Sequence, residues 1–425
     1  MEKAIIISVN MGYGHQRTAN NLKDFGQIIN ANDYEGIPEK DREIWESTRR
    51  FYEFISNFKR IPLFGEIGFS VFDFFQKILS FYPKREISEA NFTLKQVYNL
   101  FKKGWGKNLI ENCKSKKEKL PLICTFFTPA FMAEFFGYPG EIFCVVCDAD
   151  IARPWAPLNP KESKIKYFAP NQRVVERLKL YGVKKENIFF TGYPLPGNLI
   201  GTEKMEVLKE NLKYRIFNLD PKKRYFEKYK DLIEEKLGKM PENNGHSLTI
   251  LFSIGGAGAQ KEIGIKILKS LREKIKKKEI KIIISIGIRK NLSAYFLENI
   301  KLLNLEKFLG KEIEIIFEEK IENYFRKFNR ALKETDVLWT KPSELSFYSA
   351  LGIPIIISPP IGSQEEFNMR YLLKSGFGIL QENPNYTDQW FFDWLEQGYL
   401  AEAAMEGFIE GEKLGVFNIG EIISK

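Results

Sequence analysis

A chain of 425 residues exceeds what one hydrophobic core supports, because cores stop growing near ~250–300 residues, so two domains are expected. Hydrophobic residues at 44% and charged residues at 28%, with 36 Phe among the aromatics, exclude a disordered, fibrous or collagen-like chain. The 64 Lys and Arg against 55 Asp and Glu leave a net charge of +9, which suits anionic ligands or an anionic membrane surface and calls for no specific nucleic acid.

Residues 4–9 form a short β-branched run that ends in the turn Asn10-Met11-Gly12-Tyr13-Gly14-His15, after which residues 18–25 read as helix. The apolar run is too short for the core of a signal peptide, and none of the chain's runs reaches the ~18–20 residues of a membrane-spanning helix. A cytoplasmic protein is expected, peripheral on the inner face of the membrane if it meets one. Residues 44–105 follow as an aromatic-rich insertion interleaved with Arg and Lys. Two readings stand side by side: amphipathic helices that enter a lipid headgroup layer, or an insertion that packs a small core of its own.

Short apolar runs at residues 122–127, 142–146 and 188–191 alternate with helical stretches, the grammar of βαβ units and a parallel sheet. The four cysteines, Cys113, Cys124, Cys144 and Cys147, are too few and too irregular for a disulfide framework, and Cys144-Val-Val-Cys147 inside an apolar run reads as core packing. Residues 203–239 are highly charged and read as helices, and a turn cluster closes them at 241–245. The grammar then restarts with a strand at 248–254, Gly255-Gly256-Ala257-Gly258, a helix over 263–278, and strands at 281–286, 313–317, 337–340 and 354–357. The organisation expected is 1–200 as one doubly wound domain carrying the insertion, 201–400 as a second, and 401–425 as a carboxyl-terminal segment.

His15 follows the first strand, where its imidazole reaches the crevice above the sheet; an imidazole titrating near ~6.5 suits removal of a hydroxyl proton at neutral pH. Asp148-Ala149-Asp150 follows the strand at 142–146, and its carboxylates suit a metal ligand, a base or a polar loop, the last favoured because supporting ligands are absent. With two histidines and no H-x-x-x-H or paired C-x-x-C, no metal is expected. Arg17 stands where G-x-G-x-x-G needs its third glycine, which disfavours NAD, and no Walker sequence occurs. The turn Gly255, Gly256, Ala257 and Gly258 offers bare backbone amides and a helix amino terminus to a phosphate or diphosphate. Late in the chain, Lys341-Pro342-Ser343-Glu344-Leu345-Ser346 and then Gly362-Ser363-Gln364-Glu365-Glu366-Phe367-Asn368 read as two helix openings with groups suited to sugar hydroxyls.

In this order the motifs resemble the GT-B glycosyltransferases that glycosylate lipids from UDP-sugars, such as monogalactosyldiacylglycerol synthase and the N-acetylglucosaminyltransferase of peptidoglycan lipid-intermediate synthesis. The resemblance rests on Gly12-Tyr13-Gly14-His15, on residues 188–190 with Thr191-Gly192-Tyr193-Pro194, on Gly255–Gly258, and on the stretch from Lys341 to Asn368. It implies an α/β protein of two doubly wound Rossmann-like domains facing an interdomain cleft, the acceptor in the first, the nucleotide sugar in the second, and a helix within 401–425 that crosses back. The roles it implies are His15 with Asp148 as the catalytic pair, Gly12 and Gly14 as acceptor loop, and Gly255, Gly256, Ala257, Gly258, Ser343, Glu344, Leu345, Ser346, Gln364, Glu365 and Asn368 around the donor. It implies inverting transfer without a cofactor beyond the nucleoside diphosphate sugar, to a lipid or other hydroxyl acceptor. A sugar-nucleotide epimerase of the same fold and a non-catalytic nucleotide-sugar-binding protein are the alternatives. Three positions depart from the family pattern: Ser343-Glu344 replaces a glycine pair, and Ser349 stands where a ribose-binding Glu is expected.

Overall fold

Strand alternation splits the first apolar run between two cores: Ile5 and Ile7 of β1 (Ile5–Ser8) enter one, while Ala4 and Ile6 enter the core on the opposite face. A sheet covered on both faces needs this unbroken apolar run. The computed structural model describes residues 3–47, 78–115, 119–243, 245–255 and 258–425.

β1 pairs in parallel with β2 (Ile28–Asn30) on one side and β3 (Leu122–Cys124) on the other. Beyond β3 lie β4 (Ile142–Val145), β5 (Lys166–Ala169) and β6 (Ile188–Phe190), which gives the order β2-β1-β3-β4-β5-β6. The chain therefore leaves β1 in one direction and returns on its other side at β3. A second parallel sheet holds β7 (Thr249–Ser253), β8 (Lys281–Gly287), β9 (Ile313–Phe317), β10 (Val337–Thr340), β11 (Ile355–Ile357) and β12 (Gly378–Leu380) in the order β12-β11-β10-β7-β8-β9. Its reversal falls between β7 and β10. The expected α/β, doubly wound, Rossmann-like class is what the structure has. Strands β2, β5 and β12 go beyond the sequence-predicted set, because runs such as Gly378-Ile-Leu are too short to declare a period.

Contacts group Met1–Leu195, Ile361–Asn368 and Leu414–Lys425 into a first unit, and Pro196–Pro360 with Met369–Lys413 into a second. In the first, α1 (Tyr13–Asn21) begins at Tyr13 rather than at the predicted residue 18. Gly12, with φ at 113°, breaks the strand direction just before it, so the helix starts directly out of the glycine turn. Thr18 of α1 donates to the Gly14 carbonyl at 2.9 Å and lies 2.9 Å from the buried Tyr193 hydroxyl. Of the aromatic-rich insertion, residues 48–77 lie outside the described residues. The remainder joins the main core: Trp45 and Trp105 meet with ring centroids 4.8 Å apart, and α2 (Phe92–Lys102) buries Leu94 and Phe101. The last helix of the chain, Gly415–Ile423, packs Ile419 into the core of Ala4 and Ile6, and its Asn418 donates to the Thr191 carbonyl at 2.8 Å. Among the described residues no helix is long and apolar enough to cross a membrane.

In the second unit the charged stretch forms two helices, Glu206–Leu219 and Arg224–Leu237. Leu208, Leu212, Ile216 and Leu219 line the buried face of the first at helical spacing. Its Arg215 is fully buried and donates to the carbonyls of Thr335, Leu332, Leu351 and Gly352, and burial lowers its pKa to about 10. At the amino end of β10, buried Asp336 accepts from the Thr249 amide at 2.8 Å and from Asn218, while burial pushes its carboxyl well above the usual range. This bond ties the starts of β7 and β10, and their register then brings Ser253 opposite Thr340.

Phe143 and Phe168 stack across β4 and β5 with centroids 4.8 Å apart, both buried. Phe143→Ala is expected to destabilise the protein by about 3–5 kcal/mol, read as a lower urea midpoint at unchanged slope.

Candidate functional site

In an open parallel sheet, ligands bind outside the carboxyl ends of the strands where the strand order reverses. In the first unit that point lies between β1 and β3, and His15 and Thr125 occupy it. His15 sits in the first turn of α1, and its Nδ1 lies 2.7 Å from the Thr125 carbonyl oxygen. A carbonyl only accepts, so Nδ1 carries the proton, and in the neutral ring Nε2 is the basic nitrogen. The ring also packs against Phe126, centroids 4.8 Å apart, and Trp155, at 6.3 Å, which limits its rotation.

Asp148 and Asp150, spelled alike in sequence, do different work. Asp150 forms a bidentate pair with Arg177, both bonds at 2.8 Å and both side chains buried. Burial works to lower the Arg177 pKa, and the bonded carboxylate overcomes it, so the guanidinium is held above its usual range. Arg177 also donates to the Leu79 carbonyl, fastening the return of the insertion to the helix Gln172–Leu180. Asp148 instead accepts from the Asn368 side-chain amide at 3.1 Å, and the Asn368 oxygen accepts from the Ala149 amide at 2.8 Å.

Asn368 thus joins Asp148 within the first unit, although the sequence reading places it with the donor residues of 201–400. The reason is its buried amide, whose two ends are satisfied by the loop after β4. Glu365 accepts from the Ile361 amide at 2.7 Å and so caps its own loop, with Gln364 half-buried beside it. Both precede Asn368 in the helix Ser363–Lys374.

In the second unit, Gly255 follows β7 and Gly258 closes a tight turn onto it, its amide 2.8 Å from the Gly255 carbonyl. Gly256 and Ala257 lie outside the described residues. Ser343 caps the 3₁₀ helix Glu344–Leu351 by accepting from the Leu345 amide. Glu344, Leu345 and Ser346 are all buried, and the Ser346 hydroxyl has no partner among the described residues. Ser349 donates to the Ser346 carbonyl at 2.8 Å.

Two basic residues to which the sequence reading gave no role of their own also stand here. Lys341 follows β10 and Arg289 follows β8, the strands on either side of β7. A Cβ placed on Gly255 would fall 2.5 Å from Lys341 Cε, and one placed on Gly258 would fall 3.6 Å from Arg289 Cδ. Position at a strand's carboxyl end was the available signal, but it becomes useful only once strand order is known. The Thr125 carbonyl had no signal at all, since every residue carries one. Among the described residues no group of three His, Cys, Asp or Glu side chains is placed to hold a metal ion, and all four cysteines are buried with none in a disulfide.

A family described as a domain of unknown function, DUF6938, matches residues 236–311. The processive diacylglycerol beta-glucosyltransferase of Bacillus subtilis (strain 168) is 22% identical over 396 residues, 89% of this chain and 83% of that protein. MurG of Acinetobacter baumannii superposes with a TM-score of 0.51 at 12% identity, over 99% of both chains. S. aureus MnaA, solved with UDP, superposes with a TM-score of 0.50 at 12% identity, over 100% of this chain and 96% of that one. The chain has the α/β GT-B fold of two Rossmann-like domains, and it is similar in sequence to a glycosyltransferase that acts on a lipid.

Proposed function

We propose that this chain is an inverting glycosyltransferase that moves a sugar from a UDP-sugar to a lipid hydroxyl. The observation that carries the reading is the Nδ1 bond of His15 to the Thr125 carbonyl, which leaves Nε2 as a base at the strand-order reversal of the first unit. The similarity to a diacylglycerol glucosyltransferase supports a diacylglycerol acceptor and glucose as the sugar. The UDP bound by S. aureus MnaA supports uridine as the base.

In the reaction, the acceptor oxygen attacks the anomeric carbon as its proton passes to His15 Nε2. The bond from that carbon to the β-phosphate oxygen breaks, and its electron pair leaves with UDP. Asp148, at the end of β4, balances the charge formed on His15. Gly12 and Gly14 keep side chains away from the acceptor beside the start of α1. In the second unit the turn at Gly255 and Gly258 and the Ser343-capped helix receive the diphosphate, whose charge suits backbone amides and helix amino ends. Ser346 offers a hydroxyl to the donor, and Gln364 meets the sugar. Glu365 and Asn368 hold their loop in shape through the bonds they make.

The membrane-facing surface in this reading is the described end of the insertion. There the Arg173 guanidinium stacks 3.8 Å from the Phe81 ring centroid, Lys84 lies over the same ring at 5.6 Å, and Tyr82 is 69% exposed beside Arg85. Exposed aromatics among cations suit an anionic headgroup layer.

His15→Ala is expected to lower transfer of glucose from UDP-glucose to diacylglycerol by about 10²–10⁴-fold while keeping UDP binding. UDP at about a hundred times its Kd should still stabilise the variant by ~2.7 kcal/mol in a thermal-shift series. Interconversion of the UDP-sugar without acceptor would favour an epimerase, and stabilisation by UDP-sugars without turnover a binding protein. Wild type is expected to co-sediment with vesicles containing phosphatidylglycerol and only weakly with phosphatidylcholine vesicles, and Tyr82→Ser to weaken the first and leave the second unchanged. Equal binding of wild type and variant to both would remove this surface from the reading.

A further inference from the structure

We infer that a cavity of about 720 Å³ at the amino-end edge of the first sheet is a binding site for a neutral sugar, separate from the site at His15. The inference does not rest on the transferase reading. His15 and Thr125 stand at the carboxyl ends of the parallel strands, and the amino ends of β4 and β5 lie on the opposite edge. There residues 137–141, which lead into β4, and residues 158–164, which lead towards β5, line the cavity together with the end of the helix Phe127–Phe135 and Tyr98 of α2. The four residues of β4, about 13 Å at ~3.3 Å each, separate the two edges.

The volume falls within the range of small-molecule sites. Phe135, Tyr138, Pro139 and Leu158 supply apolar lining, and Phe135 is 40% exposed. Its ring stands at 79° to that of Tyr98, centroids 6.1 Å apart. Some of the polar groups are already spent: the Tyr138 hydroxyl donates to the Leu120 carbonyl at 2.7 Å, and Glu141 pairs with Lys166. Glu134 accepts from the Ser163 hydroxyl at 2.9 Å and from the Lys164 amide at 2.7 Å, both through Oε1. Among the described residues, Glu134 Oε2, the Glu162 carboxylate and the Lys164 ammonium make no hydrogen bond or ion pair. The Tyr98 hydroxyl accepts from the Leu158 amide at 3.2 Å and keeps its own proton to donate.

This set of groups selects the ligand by elimination. Two carboxylates against one ammonium disfavour a phosphate or a nucleotide. An acyl chain would strip water from three charges and give them no partner. A lone cation would face Lys164. A neutral polyol satisfies every group at once: its hydroxyls donate to Glu134 and Glu162 and accept from Lys164 and Tyr98, while the apolar face of its ring lies on Phe135.

The test uses the full chain with methyl β-glucoside, maltose, choline and inorganic phosphate, read by isothermal titration and ligand-observed NMR. Both sugars should bind, and neither choline nor phosphate should displace them. Glu134→Gln keeps an oxygen for Ser163 and Lys164 but replaces Oε2 with an amide nitrogen, and it should weaken both sugars by about tenfold or more. Tyr98→Phe should weaken them by about three- to tenfold, as the loss of one hydrogen bond does. Glu162 is exposed, so Glu162→Gln probes the site without disturbing the fold and should weaken the sugars by about threefold. Stabilisation by UDP should stay unchanged in all three variants. Sugar affinity unchanged in Glu134→Gln and Glu162→Gln, displacement by choline or phosphate, parallel loss of UDP stabilisation, or a wild type that binds neither sugar would overturn the inference. Sugar binding weakened in these variants, in a protein that turns over no UDP-sugar, would uphold the cavity and sink the transferase reading instead.

Discussion

Parallel strands cannot be joined by a tight turn, and the placement of both candidate sites follows from that constraint. Each strand must send the chain through a crossover before its neighbour can start, so the carboxyl ends of a sheet's strands all open on one edge. Where the winding changes direction, the crossovers diverge and leave a crevice. The first unit places His15 and the Thr125 carbonyl at its change of direction, and the second places Gly255 and Lys341 at its own. Residues separated by more than a hundred positions in one case and by more than eighty in the other become neighbours through register alone.

Much of the remaining buried polarity serves to hold those registers. In the first unit the Asp150–Arg177 pair spans from the loop after β4 to the helix after β5, and Arg177 extends it to the Leu79 carbonyl. In the second, Asp336 ties the amino ends of β7 and β10, while Arg215 gathers four carbonyl oxygens around the loops that bracket β10. Buried groups of this kind contribute little net stability, yet removing one partner leaves a costly orphan, so they act chiefly as alignment devices. Their position is opposite to the candidate site in the second unit, where the amino ends are braced and the carboxyl ends carry the glycine turn.

The imidazole of His15 shows how modest the means can be. A backbone acceptor at 2.7 Å sets its tautomer, two aromatic rings set its plane, and a helix start sets its position. A main-chain carbonyl and two aromatic rings leave no such signature of residue type as a charged partner would. Asn368 is the complementary case: its amide looks like a sugar-binding group in sequence, and the fold uses both of its ends on the loop after β4.

What the sequence by itself determined was the class of architecture and the identity of the glycine turns. Apolar β-branched runs such as Ile5-Ile6-Ile7 and Ile282-Ile283-Ile284, bounded by turns, suit strands covered on both faces, and they are strands in the structure. His15 stood out as a candidate because it is one of two histidines in the chain and follows such a turn. Tertiary structure alone decided that α1 starts at Tyr13, that Asp148 meets Asn368 while its near twin Asp150 is spent on Arg177, and that Lys341 and Arg289 flank Gly255 and Gly258. The physical reason is that local pattern reports which face of an element is apolar, whereas partners across a parallel sheet are set by strand order and register, which no local stretch of residues encodes.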